Sequence, residues 1–248
     1  MRITYVIGYR HKADRIINLR KVLEWLSGFS NMDVILVEQD THSKISHLSL
    51  PVKHIFIKSN KPYNRSWAFN VALKRTTNPI IVFGDSDLIM DPEEFVKSIN
   101  ELNIYDVVSP YSSVLDLTAD ESNYPFNMLP KITRPGRGET DNQKINLCGG
   151  IVLFKTEAAI RIAGWNEDFL GWGGEDDFQT LKVQKIGLTW KEMPFRCYHF
   201  WHQREQSDMV FYERTMQILQ QLATLDKDKI QGHINATVNK IGMLNKYA

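Results

Sequence analysis

The chain has 248 residues, of which 43% are hydrophobic and 24% are charged, the composition of an ordinary soluble globular protein. Its 30 basic and 29 acidic residues nearly cancel and form no dominant basic block, which argues against nucleic acid as a partner. The sequence contains no apolar run of the ~18 residues that a membrane-spanning helix needs, which argues against an integral membrane protein.

The first half of the chain alternates strand and helix signals. Predicted strands cover residues 3–8, 33–37, 52–57 and 79–83, and predicted helices cover residues 14–26 and 66–73. Asp91, with Pro92 behind it, predicts the start of another helix, because aspartate is a favoured N-cap and proline fits the first turn. This alternation predicts an α/β fold with a mostly parallel, doubly wound sheet flanked by helices. In such sheets ligands bind beyond the carboxyl ends of the strands.

The second half is less regular. Residues 107–114 are a predicted strand, whereas residues 116–146 are rich in Asn, Pro, Gly and charges and predict a long irregular stretch. Stretches of this kind are usually functional lids or disordered. Regular structure is predicted again from residue 148, with helices over residues 156–163, 176–185 and 209–225.

Two carboxylates follow the predicted strand at residues 79–83. Asp85 and Asp87 would repel each other if buried without a partner. A divalent cation would relieve that repulsion, and hard oxygen ligands suit Mg²⁺ or Mn²⁺. An acidic turn after a strand is common without a metal, so this pair alone does not establish a site.

Two histidines, His199 and His202, are separated by two residues near the end of the predicted α/β region. On a straight strand, positions three apart face opposite sides, so both can bind one ion only if the chain bends there. Paired histidines are more often packing or surface residues than ligands. If they do bind, a mixed Asp and His ligand set shifts the preference from Mg²⁺ toward Mn²⁺.

The most specific signal is the segment GWGGEDD at residues 171–177. Its glycines allow a tight backbone and the close approach of a ligand. Trp172 offers a flat face for a sugar ring. The three acids fall at a predicted helix N-terminus, where acids are favoured, and helix capping is a structural explanation for Asp177.

Basic and aromatic side chains lie near other strand ends. Arg10 follows the first predicted strand, and Tyr63 and Arg65 precede the helix after the third. An arginine at a strand end can bind a phosphate or can simply be solvated, and the residues themselves leave both open.

These blocks together make the chain similar to glycosyltransferases of the GT-A fold, most of all to the catalytic domain of the animal β-1,4-galactosyltransferases. The similar blocks occur in the family's order: IGYR at 7–10, YNR at 63–65, FGDSDLI at 83–89, GG at 149–150, GWGGEDD at 171–177 and the segment 197–202. The resemblance covers residues 3–205. Leu170 and Phe178 stand where the family has Trp and Asp, and His199 stands where it has a methionine metal ligand.

The resemblance implies a UDP-sugar donor and a saccharide or glycoconjugate acceptor. Mn²⁺, with Mg²⁺ as the alternative, is expected on Asp87, His199 and His202, with Asp85 as a further candidate ligand. Donor contacts are expected at Gly8, Tyr9, Arg10, Tyr63, Arg65, Asp85, Ser86 and Gly150. Acceptor contacts are expected at Trp172, Gly174, Glu175 and Asp176, and Asp176 is the expected catalytic base.

The implied activity is inverting transfer of galactose, N-acetylgalactosamine or a related hexose. A retaining GT-A or polymerase-like transferase remains an alternative, because the WGGE element also occurs in chondroitin-polymerase-like enzymes and polypeptide N-acetylgalactosaminyltransferases. A sugar nucleotidyltransferase is less favoured, since Gly8 is the single glycine after the first strand, where a phosphate loop would need several. A carbohydrate-binding module would need neither a base nor a metal site.

We expect a catalytic domain over residues 1–205, with a nucleotide-binding half at 1–90 and an acceptor-binding half at 105–205. Residues 206–248 are expected to form a helical extension. The start of the chain lacks a cationic leader, so we expect a complete soluble protein or an excised catalytic domain. We expect a cytoplasmic location, with peripheral membrane contact allowed. Cys148 and Cys197 are compatible with one disulfide or with two reduced thiols.

Overall fold

The structure is a computed structural model that describes residues 1–45, 51–140, 145–203 and 210–247. Its strands are β1 (Ile3–Tyr9), β2 (Met32–Asp40), β3 (Lys53–Lys58), β4 (Ile80–Gly84), β5 (Leu88–Met90), β6 (Val107–Ser109), β7 (Ser113–Asp116), β8 (Ile151–Lys155), β9 (Trp190–Glu192) and β10 (Arg196–His199). Its α-helices are α1 (Arg15–Ser27), α2 (Arg65–Leu73), α3 (Pro92–Glu101), α4 (Thr156–Arg161), α5 (Glu175–Ile186), α6 (Tyr212–Ala223) and α7 (Lys227–Thr237).

A seven-stranded sheet forms the centre of the described chain, in the order β3-β2-β1-β4-β8-β6-β9. The pairs among β3, β2, β1 and β4 are parallel, and so is the pair β6–β9, whereas β8 runs antiparallel to both of its neighbours. A smaller sheet, β5-β10-β7, lies beside it. The expected α/β fold with a mostly parallel sheet and flanking helices is confirmed.

The central strand β1 is apolar along most of its length because helices cover both faces of the sheet. Successive side chains of a strand point to opposite faces. Tyr5 and Ile7 accordingly pack in one core cluster with residues of α1, and Val6 packs in the other with residues of α2. All three side chains are fully buried. This two-sided core holds the strand ends in register.

Most of the predicted elements lie within one or two residues of the observed ones. Asp91 caps α3 as expected, because its Oδ1 accepts hydrogen bonds from the backbone amides of Glu93 and Glu94 at 2.9 and 3.1 Å. The single strand predicted over residues 107–114 is wrong. It is divided into β6 and β7, which belong to different sheets, because Pro110 has no amide hydrogen to continue a ladder.

The irregular stretch at residues 116–146 is confirmed over its described part, which includes two short 3-10 helices, Glu121–Asn123 and Phe126–Lys131. Residues 141–144 lie outside the described residues. A pair of backbone hydrogen bonds between Val114 and Arg137, at 2.8 and 2.9 Å, fastens this stretch to β7. It therefore has a defined position beside the small sheet.

The C-terminal segment packs into the core of the protein. Trp67 of α2 donates a 2.7 Å hydrogen bond to the backbone oxygen of Met243, and its ring contacts that of Tyr247. Ile230 and Ile234 of α7 are buried in the core cluster that contains α2.

The boundary predicted at residues 205 and 206, and the predicted helix start at Met209, lie outside the described residues. Among those residues, no helix is both long and apolar enough to cross a lipid bilayer.

The buried side chain of Asn70 joins α2 to the segment that leads toward α5. Its Oδ1 accepts from the amide of Trp165 at 2.8 Å, and its Nδ2 donates to the oxygen of Trp165 at 2.7 Å and to Oε1 of Glu167 at 2.9 Å. Replacing Asn70 with alanine would remove this partner from the buried amide and oxygen of Trp165, whereas Oε1 of Glu167 would keep its hydrogen bond from the amide of Gly242.

We therefore expect Asn70→Ala to lower the free energy of unfolding by about 3 kcal/mol, as measured by urea denaturation. Asn103→Ala is the matched control, because the Asn103 amide is exposed and bonds only to the backbone of its own helix end. A loss within 0.5 kcal/mol of the control would contradict this assignment.

Candidate functional site

Three side chains that are distant in sequence meet beyond the end of β4. Asp87 lies in the turn between β4 and β5, His199 ends β10, and His202 follows it. Nε2 of His199 is 3.8 Å from Oδ1 of Asp87, and Nε2 of His202 is 3.4 Å from Oδ2. The three ligand atoms lie within 4.8 Å of one another. The structure thus brings the three predicted metal ligands together.

The two histidines reach the same point because the chain leaves the strand after His199. Antiparallel pairing with β5 places His199 opposite Leu88, and the amide of Phe200 donates to the oxygen of Asp87 at 2.8 Å. Beyond this bond the chain is no longer in the strand, and the imidazole rings of His199 and His202 lie with centroids 5.3 Å apart. The bend that the spacing requires is therefore present.

The side chains around this cluster fit a divalent cation. Nδ1 of His199 is 2.8 Å from Oδ1 of Asp116, which leaves Nε2 directed at the cluster. Arg137 in turn holds both oxygens of Asp116, at 2.8 and 3.0 Å. A histidine oriented by a carboxylate through its second nitrogen is the usual arrangement at a metal site, because it fixes the ring and its tautomer.

The electrostatics of His199 reflect the acids around it. Burial favours the neutral ring, but the carboxylates of Asp116 and Asp87 outweigh burial and raise the pKa of His199 to about 9. A metal binds the neutral imidazole, so loading this cluster at neutral pH would displace a proton from His199. A divalent cation bound in the cluster would then stabilise the Asp87 carboxylate in place of the protonated His199.

A second network centres on Arg65, the first residue of α2. Its Nε donates to Oδ1 of Asp85 at 2.7 Å, its Nη1 pairs with Oδ1 of Asp176, and its Nη2 reaches the oxygen of Gly150 at 3.3 Å. The guanidinium also lies 4.7 Å from the ring centre of Phe69. Arg65 is 8% exposed, so its positive charge is neutralised inside the protein rather than by water.

The acids of the glycine-rich segment begin α5, as predicted. The N-cap is Gly174 in a left-handed conformation with φ of +84°, and Asp177 lies in the first turn, where its charge favours the helix dipole, rather than at the N-cap. Oδ1 of Asp177 instead accepts from the side-chain amide of Asn146 at 3.0 Å. Glu175 folds back so that its Oε2 accepts from the amide of Gly173 at 3.1 Å.

Asp176 faces the Arg65 network. Burial raises the pKa of Asp176 to about 8, although the charge of Arg65 acts in the opposite direction. A general base is most effective when its pKa is close to the working pH, so this environment suits a carboxylate that accepts a proton. The prediction that Asp176 is the base has a physical basis here and stays a prediction.

The other predicted donor contacts lie around the ends of β1 and β4. A Cβ on Gly8 would be 2.3 Å from the Tyr63 hydroxyl, so these two residues are in close contact. Arg10 donates to the backbone oxygens of residues 39 and 61 at 3.0 and 2.7 Å. The side chains of Tyr9 and Ser86 are buried, at 1% and 7% exposure. Their roles in donor binding stay predictions.

Trp172, the predicted acceptor platform, is 53% exposed. The glycines around it serve contacts within the chain. A Cβ on Gly173 would meet the ring of Tyr212 at 2.9 Å, and a Cβ on Gly174 would meet the ring of Phe169 at 2.9 Å. These glycines therefore leave room for aromatic side chains of the protein, and the contact of Gly174 with an acceptor stays a prediction.

Two residues that bear on the site carry no recognisable sequence signal. Asp116 lies in a stretch predicted to be irregular, and Tyr212 lies in the predicted extension. Each contributes through a partner far away in the chain, so no local pattern identifies it. The two cysteines, Cys148 and Cys197, are buried free thiols rather than a disulfide.

Comparison with known proteins gives one family match. A family model described as the N-terminal domain of galactosyltransferase matches residues 139–204, a range that contains the glycine-rich segment and both histidines. A search of curated proteins finds no significant match. The resemblance to galactosyltransferases is confirmed over that range.

Solved structures give the fold. The structure of GalNAc-T7 with UDP, GalNAc and Mn²⁺ matches with a TM-score of 0.58 and 12% identity, covering 95% of this chain and 50% of that one. The chain has a GT-A-type glycosyltransferase fold.

Two structures of Drosophila β1,4-galactosyltransferase 7 also match. The catalytic domain with xylobiose has a TM-score of 0.44 and 16% identity, and a mutant with manganese, UDP-Gal and xylobiose has a TM-score of 0.47 and 15% identity. Each match covers 77% of this chain and 64% or 65% of the other. This chain thus spans about half to two thirds of the length of the structures it matches.

If Asp116 orients His199, removing its carboxylate should weaken metal binding without unfolding the protein. We expect Asp116→Ala to reduce Mn²⁺ affinity about 10- to 100-fold, measured by EPR titration of free Mn²⁺. Asp120→Ala, at an exposed position in the same stretch, is the control. Equal Mn²⁺ affinity in Asp116→Ala and in the control would show that the Asp116–His199 contact is not used in metal binding.

Proposed function

We propose that this chain is a metal-dependent inverting glycosyltransferase that moves galactose, N-acetylgalactosamine or a related hexose from a UDP-sugar to a hydroxyl of a carbohydrate acceptor. The single observation that carries the proposal is the adjacency of two networks. Asp87, His199 and His202 form a metal-type cluster, and Arg65 links Asp85, two residues before Asp87, to Asp176. The site that holds the departing UDP and the residue that accepts the proton would therefore lie at the same edge of the sheet.

The metal-type cluster would hold the donor diphosphate through a cation. Mn²⁺ is the preferred ion and Mg²⁺ the alternative, because the cluster combines one carboxylate with two imidazoles. When bound, such an ion supplies Lewis-acid stabilisation of the departing UDP, an effect worth several kcal/mol. Asp85 lies beside the cluster and would contact the nucleotide or the ion. The presence of Mn²⁺ with UDP in the structure of GalNAc-T7 is consistent with this proposal.

The remaining donor contacts would come from residues at the strand ends. Tyr63 and Arg10 flank the end of β1, and the buried Arg65 directs several N–H groups at Asp85, Asp176 and the oxygen of Gly150. A diphosphate entering beside Arg65 would compete with Asp85 and Asp176 for those donors. Donor binding would thereby release the Asp176 carboxylate from its ion pair.

Asp176 would act as the base. The acceptor hydroxyl oxygen forms a bond to the anomeric carbon as the bond from that carbon to the UDP oxygen breaks, and the hydroxyl proton passes to the Asp176 carboxylate. Glu175 would accept a hydrogen bond from the acceptor, and Trp172 would stack on its ring. Attack from the face opposite UDP inverts the anomeric configuration.

A retaining transferase is the second candidate. The structure of GalNAc-T7 matches nearly the whole chain, whereas the galactosyltransferase family model covers only residues 139–204. The stereochemistry of the product separates the two.

We also propose that residues 1–90 form the donor half and residues 105–205 the acceptor half. A cytoplasmic location remains a prediction.

The proposed activity is tested by UDP release from a panel of UDP-sugars. We expect release with one of them in the presence of Mn²⁺ and its loss in EDTA or in Asp87→Ala, because the cluster then no longer binds the ion. Circular dichroism of the variant checks that the fold persists. Full activity in EDTA would exclude metal dependence. Pyrophosphate release from a sugar 1-phosphate and UTP would indicate a nucleotidyltransferase, and absence of both reactions a binding protein.

The role of Asp176 is tested by Asp176→Asn, which is nearly isosteric. We expect kcat to fall at least 10²-fold, within the range typical of general bases, while UDP-sugar binding is preserved. NMR of the product should show a β linkage formed from an α-configured donor. Near-normal turnover, or an α-linked product, would overturn the inverting assignment.

The pH profile gives a second measurement on the same residue. A base must be deprotonated, and the pKa of Asp176 is raised to about 8, so kcat/KM should rise with pH until about 8 and then level off. Arg65→Gln removes the charge that opposes this shift, so the rise should move to higher pH. An unchanged profile in Arg65→Gln would assign the titration to another group.

A further inference from the structure

The glycine-rich segment rests on the first turn of α6. The indole of Trp172 and the phenol ring of Tyr212 are stacked, with centroids 5.4 Å apart and an interplanar angle of 23°. Trp172 nevertheless keeps 53% of its surface exposed. One part of the indole is therefore covered by Tyr212, and the rest is open to solvent. Tyr212 restrains the orientation of the indole without burying it.

The backbone of the segment is built for this contact. Gly171 and Gly173 have φ angles of +79° and +106°, which side chains other than glycine rarely adopt. A Cβ on Gly171 would meet Phe211 at 3.2 Å, and one on Gly173 would meet the ring of Tyr212 at 2.9 Å. The glycines on either side of Trp172 thus allow the segment to lie directly against the start of α6.

A buried hydroxyl strengthens the contact between the two elements. Oγ1 of Thr215 is 3.3 Å from the backbone oxygen of Trp172 and 2.8 Å from that of Tyr212. Thr215 is 1% exposed, and its branched side chain has few rotamers, so it holds both backbones at a defined distance. The position of Trp172 is therefore set from two sides, by a ring and by a backbone contact.

The opposite end of the segment is tied to the predicted donor region. The amide of Gly171 donates to the backbone oxygen of Tyr63 at 2.8 Å. Trp172 consequently lies between a residue next to the end of β1 and the first turn of α6. An exposed tryptophan with no such supports would sample several rotamers, and a ligand would have to select one of them.

We propose that Tyr212 is a positioning residue for acceptor binding, which holds Trp172 so that one uncovered indole face receives the apolar face of a sugar ring. This inference rests on the proposed function, because it assigns Trp172 to the acceptor. It also makes the C-terminal segment part of the acceptor site rather than an appendage. The ligand class is a neutral pyranose with C–H groups on one face, since the platform is the uncovered face of an aromatic ring.

The test compares Tyr212→Ala and Tyr212→Phe with the unaltered protein, using xylobiose and methyl glycosides of common hexoses as acceptor probes. We expect the acceptor KM of Tyr212→Ala to rise about tenfold, whereas the donor KM and the slow UDP release without acceptor change less than twofold. Tyr212→Phe keeps the ring and should restore the acceptor KM. Trp190→Ala, at the far edge of the large sheet and 43% exposed, is the control.

A double-mutant cycle separates positioning from simple packing. If Tyr212 acts through Trp172, the acceptor KM of the double variant Trp172→Ala, Tyr212→Ala should equal that of Trp172→Ala alone. An unchanged acceptor KM in Tyr212→Ala would overturn the inference. So would an equal loss of acceptor use, donor use and thermal stability, because that pattern indicates a structural contact. Absence of UDP release from the unaltered protein with any donor would instead contradict the proposed function.

Discussion

The buried ion pairs of Arg65 hold the candidate site together. A guanidinium that is 8% exposed must be neutralised by fixed partners, because water cannot solvate it there. Its partners are Asp85, which follows β4, and Asp176, which lies in the first turn of α5. The guanidinium thus holds the end of β4 close to the start of α5. The aromatic ring of Phe69 contacts the same cation. An anion that binds beside Arg65 would compete with both acids for its N–H groups.

The small sheet plays a comparable part for the metal-type cluster. β10 pairs with β5 on one side and with β7 on the other, so His199 is placed between Leu88 and Asp116. One strand register therefore sets both the distance from His199 to Asp87 and the hydrogen bond that orients its ring. Arg137 extends this chain of contacts to the irregular stretch, which the structure fastens to β7. A cation site of this kind needs all of these contacts, because a ligand that can rotate binds weakly.

The glycine-rich segment connects the two networks to the C-terminal helices. Its Asp176 pairs with Arg65, and its tryptophan lies against Tyr212. Positive φ angles at its glycines let the chain turn sharply twice within a few residues and still pack on α6. The same glycines that suggest a ligand cradle in the sequence are thus required by internal packing, and the indole between them stays exposed.

The sequence alone determined the strands and helices over most of the first half of the chain. The short apolar runs of β1 and β4 reflect strands buried on both faces, the helical spacing of apolar residues in α1 reflects burial on one face, and Asp91 caps α3 as its local chemistry requires. The motif residues Asp87, His199, His202 and Asp176 were also identifiable. Only the tertiary structure decided the partners of these residues. His199 meets Asp116 across 83 positions of sequence, and Trp172 meets Tyr212 because two helices pack together. Contacts of this range depend on how elements assemble, and no local propensity encodes them.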